Sequence, residues 1–265
     1  MITSRQNQRL KDIRRLRRSK GERAERALLE GPHLVAEAAA GGLEIETVLA
    51  TPGFLATPEG SRLGRALAAA PLEVAAELFD DLTDADSPRG VLAVARLPRS
   101  GAEALPLREG LPYLYLDGLQ DPGNLGALAR VAEAAGAAGL VLSPGSAHPN
   151  HPRALRASAG SLLRLPVAVE TEADALGRRL APLQPRWAAL ATRGGESFWT
   201  AGFPETLILA VGAEGPGLSP ALLARADLRL TIPIEPPVES LNATVAAALV
   251  LFEARRRRGP AGAGS

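Results

Sequence analysis

The chain has 265 residues, of which 46% are hydrophobic and 22% charged, enough for one large domain or two small ones with buried cores and too apolar for wholesale disorder. Cysteine is absent, which excludes disulfides, thiolate metal sites and a cysteine nucleophile, and three scattered histidines give no metal-ligand pattern. There is no apolar run of spanning length and the N-terminus lacks the apolar stretch of a secretory signal, so a cytoplasmic protein without a membrane segment is expected.

Net charge is only +1, but residues 1–26 hold ten Lys/Arg against three acids. A basic helix is predicted over Gln6–Lys20. Such a patch is either a solvated helix face or a surface for polyanions, because each phosphate neutralised releases a counterion. On the second reading Arg5, Arg9, Lys11, Arg14 and Arg15 contact nucleic acid. Ala27–Leu29 and Thr47–Ala50 read as strands, with a helix over His33–Ala40 stopped by Gly41 and Gly42. Helices are predicted over Ser61–Ala70 and Ala75–Leu82, and a strand over Val91–Ala95. This is a small α/β domain over residues 1–97. The Pro- and Gly-rich stretch 98–110 reads as a linker, and 111–265 as a second domain.

In the second domain six short apolar runs are predicted as strands: Tyr113–Asp117, Gly139–Leu142, Pro166–Val169, Trp187–Ala191, Leu207–Val211 and Leu228–Ile232. They are continuous rather than alternating, which suits parallel strands buried on both faces, with helical stretches between most of them. A long helix follows, about Ser240–Arg258, and residues 259–265 read as disordered.

Three loops at the ends of predicted strands are candidate sites, because ligands of open α/β sheets sit beyond the carboxyl ends of strands. The first, after Asp117, leads into a helix that Asn124 is placed to cap, with Arg130 six residues on; its other reading is a plain turn with a surface arginine. The second, Gly212-Ala213-Glu214-Gly215-Pro216-Gly217, matches neither the dinucleotide nor the P-loop fingerprint. Its glycines let a ligand approach the backbone, while Glu214 either serves the site or satisfies loop amides. The third leads from Ile232 to the last helix, where Ser240 and Asn242 either face a ligand or cap the helix. His148 and His151, three apart between prolines with no carboxylate beside them, read as a cleft-lining loop rather than a metal site. Arg153 and Arg156 read as phosphate ligands or solvated cations. Trp187 and Trp199 read as core or interface.

The ordered set DPGNLGALARVAEAAG, RASAGSLLRLPV, GAEGPGL and IPIEPPVESLNATVAAALVLFE resembles the SpoU/TrmH family of RNA 2′-O-ribose methyltransferases, in the SPOUT superfamily. The N-terminal segments TSRQNQRLKDIRRL, LLEGPHLVAEA and SPRGVLAVA resemble that family's substrate-binding domain, which is similar to ribosomal protein L30e. The resemblance implies an α/β knot, a mainly parallel sheet with a deep trefoil, behind a small L30e-like α/β domain. It implies S-adenosylmethionine as cofactor, in contact with Gly212, Ile232 and Leu241 and with the loop that holds Ala213 and Gly217. It implies Arg130 as the central catalytic residue, with Asn124, Glu214, Ser240 and Asn242 shaping the site, and a homodimer. Glu235-Pro236-Pro237-Val238 and Ala243 depart from the usual motif without removing a catalytic group. The expected substrate is rRNA in preference to tRNA. A non-catalytic RNA binder or ribosome assembly factor on the same scaffold is the alternative.

Overall fold

The computed structural model describes residues 1–18, 25–83 and 87–259. The chain forms two compact units, residues 1–98 with 148–164, and residues 99–147 with 165–265. The segment 148–164 thus groups with the first unit, although it lies beyond the predicted linker at 98–110. The end of the predicted first helix, at Ser19 and Lys20, falls outside the described residues, as does most of the predicted disordered tail.

The first unit begins with α1 (Gln8–Arg18), β1 (Arg26–Glu30), α2 (Pro32–Ala40), β2 (Ile45–Ala50) and α3 (Pro52–Leu55). It continues with α4 (Pro58–Ala66), β3 (Leu72–Glu73), α5 (Ala76–Asp80) and β4 (Val91–Arg96). Its sheet has the order β1-β4-β2-β3, with β4 antiparallel to both neighbours and β2 parallel to β3. Leu10, Ile13 and Leu16 form the buried stripe of α1 and join Leu28, Leu49 and Phe79 in one core. That stripe orients the helix and turns its cations outward.

The second unit holds β5 (Tyr113–Asp117), α6 (Pro122–Ala134) and β6 (Gly139–Leu142). Next in the chain come α7 (Pro152–Ser158) and α8 (Ser161–Arg164), which belong to the first unit. The second unit resumes with β7 (Val167–Ala168), α9 (Ala173–Leu180), β8 (Arg186–Leu190), β9 (Glu196–Ser197) and β10 (Leu207–Gly212). It closes with α10 (Pro220–Arg225), β11 (Leu228–Thr231) and α11 (Ala243–Arg258). Its sheet runs β7-β6-β5-β10-β8-β11-β9, and every pairing is parallel. After β11 the chain returns across the sheet, so that α11 packs on α6 and β10.

Several helix starts follow one chemical rule. Thr51, Thr57, Asp121 and Ser219 each accept a backbone N–H from the first turn, and each is followed by proline. The side chain satisfies an orphan donor, and proline presets φ where no N–H is needed. This moves α4 three residues ahead of its predicted start at Ser61. It also places the cap of α6 at Asp121, not Asn124. The cap of α11 is Asn242, whose Oδ1 accepts from Thr244 N at 2.9 Å, and not Ser240.

The cations ending α11 bind carbonyls. Arg258 donates to Gly110 O and Ala135 O, Arg255 to Ala134 O, and Arg257 to the carbonyls of Phe198, Trp199 and Ala201. They close the C-terminal end of α6 and the loop after β9, a role beyond the helix dipole.

Both tyrosines of the chain lie in the second core. Tyr113 donates its hydroxyl hydrogen to Pro106 O at 2.6 Å, and Tyr115 donates to Thr171 O while its ring meets Trp187 edge-on at 5.4 Å. Burial raises both phenols above their ordinary value of 10, Tyr115 to about 12. A raised phenol stabilises the fold fully below pH 10 and loses that contribution as pH climbs towards 12. The native protein is therefore expected to show no tyrosinate absorbance at 295 nm up to about pH 11, and ionisation and unfolding should coincide above it. Tyrosinate in the folded protein at pH 10 would contradict this burial.

Candidate active site

Four strand ends build the site. β5, β10, β8 and β11 are neighbours, and their carboxyl ends reach Asp117, Gly212, Leu190 and Thr231. The chain leaves β5 for β6 on one side, while β10 and β8 lie on the other, so this is where a parallel sheet opens a crevice. A cavity of about 440 Å³ lies there, lined by Leu190–Thr192, Val211–Gly215, Gly217, Ile232, Ile234, Glu239–Ala243 and Ala246. Its walls are the apolar side chains Leu190, Val211, Ile232 and Leu241, together with the backbone of two loops.

The glycine loop is folded on itself. Gly217 N donates to Ala213 O at 3.0 Å, and residues 213 and 217 form an isolated antiparallel bridge. A Cβ on Gly212 would fall inside the van der Waals envelope of the Gly217 carbonyl and Leu218 N. Gly217 itself has φ +73°, a left-handed conformation that glycine adopts without strain. Beneath the loop, Asp117 Oδ2 accepts from Ser219 N at 2.8 Å and ties the end of β5 to the start of α10.

Glu214 stands at the centre. Its Oε1 accepts from Asn124 Nδ2 at 2.7 Å and from Asn242 Nδ2 at 3.0 Å. Each asparagine is free to do this because of local capping. Asp121 Oδ1 takes the Asn124 backbone N–H at 2.8 Å, so the Asn124 side chain has no capping duty. Asn242 caps α11 with its carbonyl oxygen and offers its amide nitrogen to Glu214.

Of the residues singled out in the sequence, Asn124, Glu214 and Asn242 come together, and Gly212, Ala213, Gly217, Ile232, Ser240 and Leu241 line the same cavity. Arg130 does not line it. It is exposed on α6, about 9 Å along the axis from Asn124 and roughly a third of a turn around. Arg156 forms an ion pair with Glu30 instead of standing in solvent. Arg5 and Arg14 both approach Asp81, at 3.1 and 3.8 Å. His151 caps α7, and His148 Nδ1 accepts from Asn150 N at 3.1 Å. Trp187 is buried and Trp199 exposed. Leu190–Thr192, Val211 and Ile234 were missed as lining residues. Their signal is position, since each lies at or just past the carboxyl end of a strand of the crevice.

The family model described as the SpoU rRNA Methylase family matches residues 112–252, and that of the MRM3-like substrate binding domain matches residues 7–93. The chain is 32% identical over 262 residues to an uncharacterized tRNA/rRNA methyltransferase of Synechocystis sp., covering 97% of this chain and 94% of that protein. It is 31% identical over 260 residues to the 23S rRNA (guanosine(2553)-2'-O)-methyltransferase RlmP of Bacillus subtilis, covering 96% and 98%. The fold is similar to the crystal structure of the SpoU methyltransferase AviRb of Streptomyces viridochromogenes in complex with AdoMet. There the TM-score is 0.87 at 27% identity, and 96% of this chain and 98% of that one are covered.

The contact at Gly212 leaves no room for a side chain. Gly212→Ala is expected to destabilise the second unit by about 1–3 kcal/mol, read from the midpoint of denaturant unfolding. An unchanged midpoint would contradict the close approach.

Proposed function

The chain belongs to the SpoU rRNA methylase family, and from that premise we propose that it transfers a methyl group from S-adenosylmethionine to a ribose 2′-hydroxyl of ribosomal RNA. The observation that carries the reading is the convergence of Asn124 and Asn242 on one oxygen of Glu214, beside an apolar, backbone-lined cavity at the strand ends.

S-adenosylmethionine supplies, when bound, an electrophilic methyl on a sulfonium. The cavity suits it: about 440 Å³, with apolar side chains for the adenine and the chain of the methionine part, and loop amides and carbonyls for their polar edges. Gly212, Ala213, Gly217, Ile232 and Leu241 would hold it. Transfer is an in-line displacement, so the protein's task is to set the 2′-oxygen on the axis of the breaking bond. Glu214 fixes Asn124 and Asn242 at the mouth of the cavity, and Ser240 adds a hydroxyl to its lining. These groups position the ribose. A guanidinium offers fixed N–H donors and no acceptor, so the role of Arg130 is electrostatic: it binds the adjacent phosphate and stabilises charge developing on the 2′-oxygen. Arg5, Arg9, Lys11, Arg14, Arg15 and Arg153 supply phosphate contacts beyond the site. Arg156, which also pairs with Glu30, joins that set.

We further propose a knotted second unit, with the segment after β11 threaded beneath the loop after β10; the return of α11 onto α6 supports it. We place the protein in the cytoplasm, with its RNA. Among the described residues no helix is long and apolar enough to cross a membrane. A homodimer is supported by α11. Val245, Leu249 and Phe252 lie on one face at 49%, 40% and 46% exposure, opposite the buried Ala247, Val250, Leu251 and Ala254. An apolar stripe of that kind on a helix beside the site marks an interface. A dimer built on it would bring two copies of α6 close together, which gives the exposed Arg130 a route to a cavity it does not line in its own chain.

Incubation with methyl-labelled S-adenosylmethionine and RNA from a strain lacking the gene should label rRNA as an alkali-resistant 2′-O-methyl nucleotide. Arg130→Ala should cut that rate by about 10²-fold or more with cofactor binding unchanged; undiminished methylation would remove Arg130 from the chemistry. Sedimentation equilibrium should give twice 27.5 kDa, and Leu249→Glu should halve that mass. A monomeric parent protein would refute the dimer.

A further inference from the structure

The first unit has a cavity of its own, of about 380 Å³, between the N-terminus of α2 and residues 87–92. Pro32, Leu34, Phe79, Val91 and Leu92 supply apolar walls, and His33, Arg89 and Arg156 are among its polar lining. Glu30, last residue of β1, lines it too and is 8% exposed. Its Oε2 accepts from Thr83 Oγ1 at 2.9 Å and from Arg156, whereas its Oε1 is buried and has no hydrogen-bond partner among the described residues. A buried carboxylate oxygen without a donor is a standing cost, and one that a ligand N–H would remove.

A second feature lies beside it. Gly31, at φ +92°, precedes α2 and has no side chain to cap it. The N–H groups of His33 and Leu34 in the first turn make no hydrogen bond among the described residues, and neither does the Arg89 guanidinium. Uncapped amides at the N-terminus of a nine-residue helix, with an arginine on the same lining, suit an anion.

A partly apolar cavity, a buried acceptor needing a donor, and an anion cradle describe a nucleotide. Resting on the RNA reading above, we propose that this cavity takes one unstacked nucleotide of the RNA substrate. Its base lies along the cavity's apolar lining and directs an amino group to Glu30 Oε1, which a turn of the Glu30 side chain brings to the cavity surface, and its phosphate rests on the first turn of α2 and Arg89. Adenine, cytosine and guanine carry an exocyclic amino donor. Uracil flanks its one N–H with two carbonyl oxygens that would face the carboxylate. The site therefore discriminates against uracil, and Arg156 acts as a positioning residue that holds Glu30.

The test is fluorescence anisotropy of labelled hexaadenylate, hexacytidylate and hexauridylate on the full chain at one salt concentration. The parent protein should bind the first two at least about fivefold tighter than hexauridylate, the effect of one hydrogen bond. Glu30→Gln should bring the three within twofold of one another. Arg89→Glu, a change at a guanidinium without a partner among the described residues, should weaken all three by about threefold to tenfold and keeps the proposal testable if Glu30→Gln fails to fold. No base preference in the parent, no binding at all, or a preference that survives Glu30→Gln would overturn the nucleotide site, as would binding indifferent to Arg89→Glu. Methylation of rRNA is read in parallel: label without base preference refutes this cavity alone, and base preference without label refutes the methyltransferase reading alone.

Discussion

A single carboxylate oxygen joins three distant parts of the chain. Glu214 Oε1 takes amide hydrogens from residues 90 positions before it and 28 after it. Neither contact survives unless the rest of the second unit is right. Glu214 is presented only because β10 ends at Gly212 and the loop doubles back onto it. Asn124 is available only because Asp121 has already capped α6. Asn242 is available only because its carbonyl does the capping and its nitrogen does not. The parallel sheet sets these loops side by side, and the shared acceptor holds their tips in one arrangement.

Much of that arrangement could be read in the sequence. Tyr113–Asp117 and Gly139–Leu142 are strands with the predicted limits, because continuous apolar runs between Gly- and Pro-rich loops have little else to become. The site loops were legible for the same reason: they follow strands. What was not legible is which of two polar residues caps a helix. Asn124 and Ser240 are good caps by type, yet Asp121 and Asn242 win, because the choice depends on where the chain enters the first turn. The two-residue strands β3 and β9 have too few side chains to show a pattern. The partner of Arg156 was out of reach too, since Glu30 lies 126 residues away and only packing brings it near.

The two units solve one electrostatic problem differently. In the second, Arg255, Arg257 and Arg258 direct donors to carbonyls at the end of α6 and in the loop after β9, and Arg256 pairs with Glu253, so these exposed cations also hold neighbouring chain in place. In the first, the apolar stripe of α1 is buried and Arg9 and Lys11 stay exposed on its outer side.

The membership of residues 148–164 in the first unit bears on how the protein is made. That unit's other residues are complete at position 98, but α7 and α8, with the Arg156 and Arg164 that pair with Glu30 and Glu37, come later. The last of them leaves the ribosome 66 residues after 98, the difference between 164 and 98. At about 5–20 residues per second that is a delay of roughly 3–13 s. Throughout it, β6 and its crossover are already emerging while Glu30 still lacks its cation. The first unit therefore cannot be completed until residue 164 has emerged, and its maturation is coupled in time to the synthesis of β5, α6 and β6 by the stretch of chain that the second half lends to it.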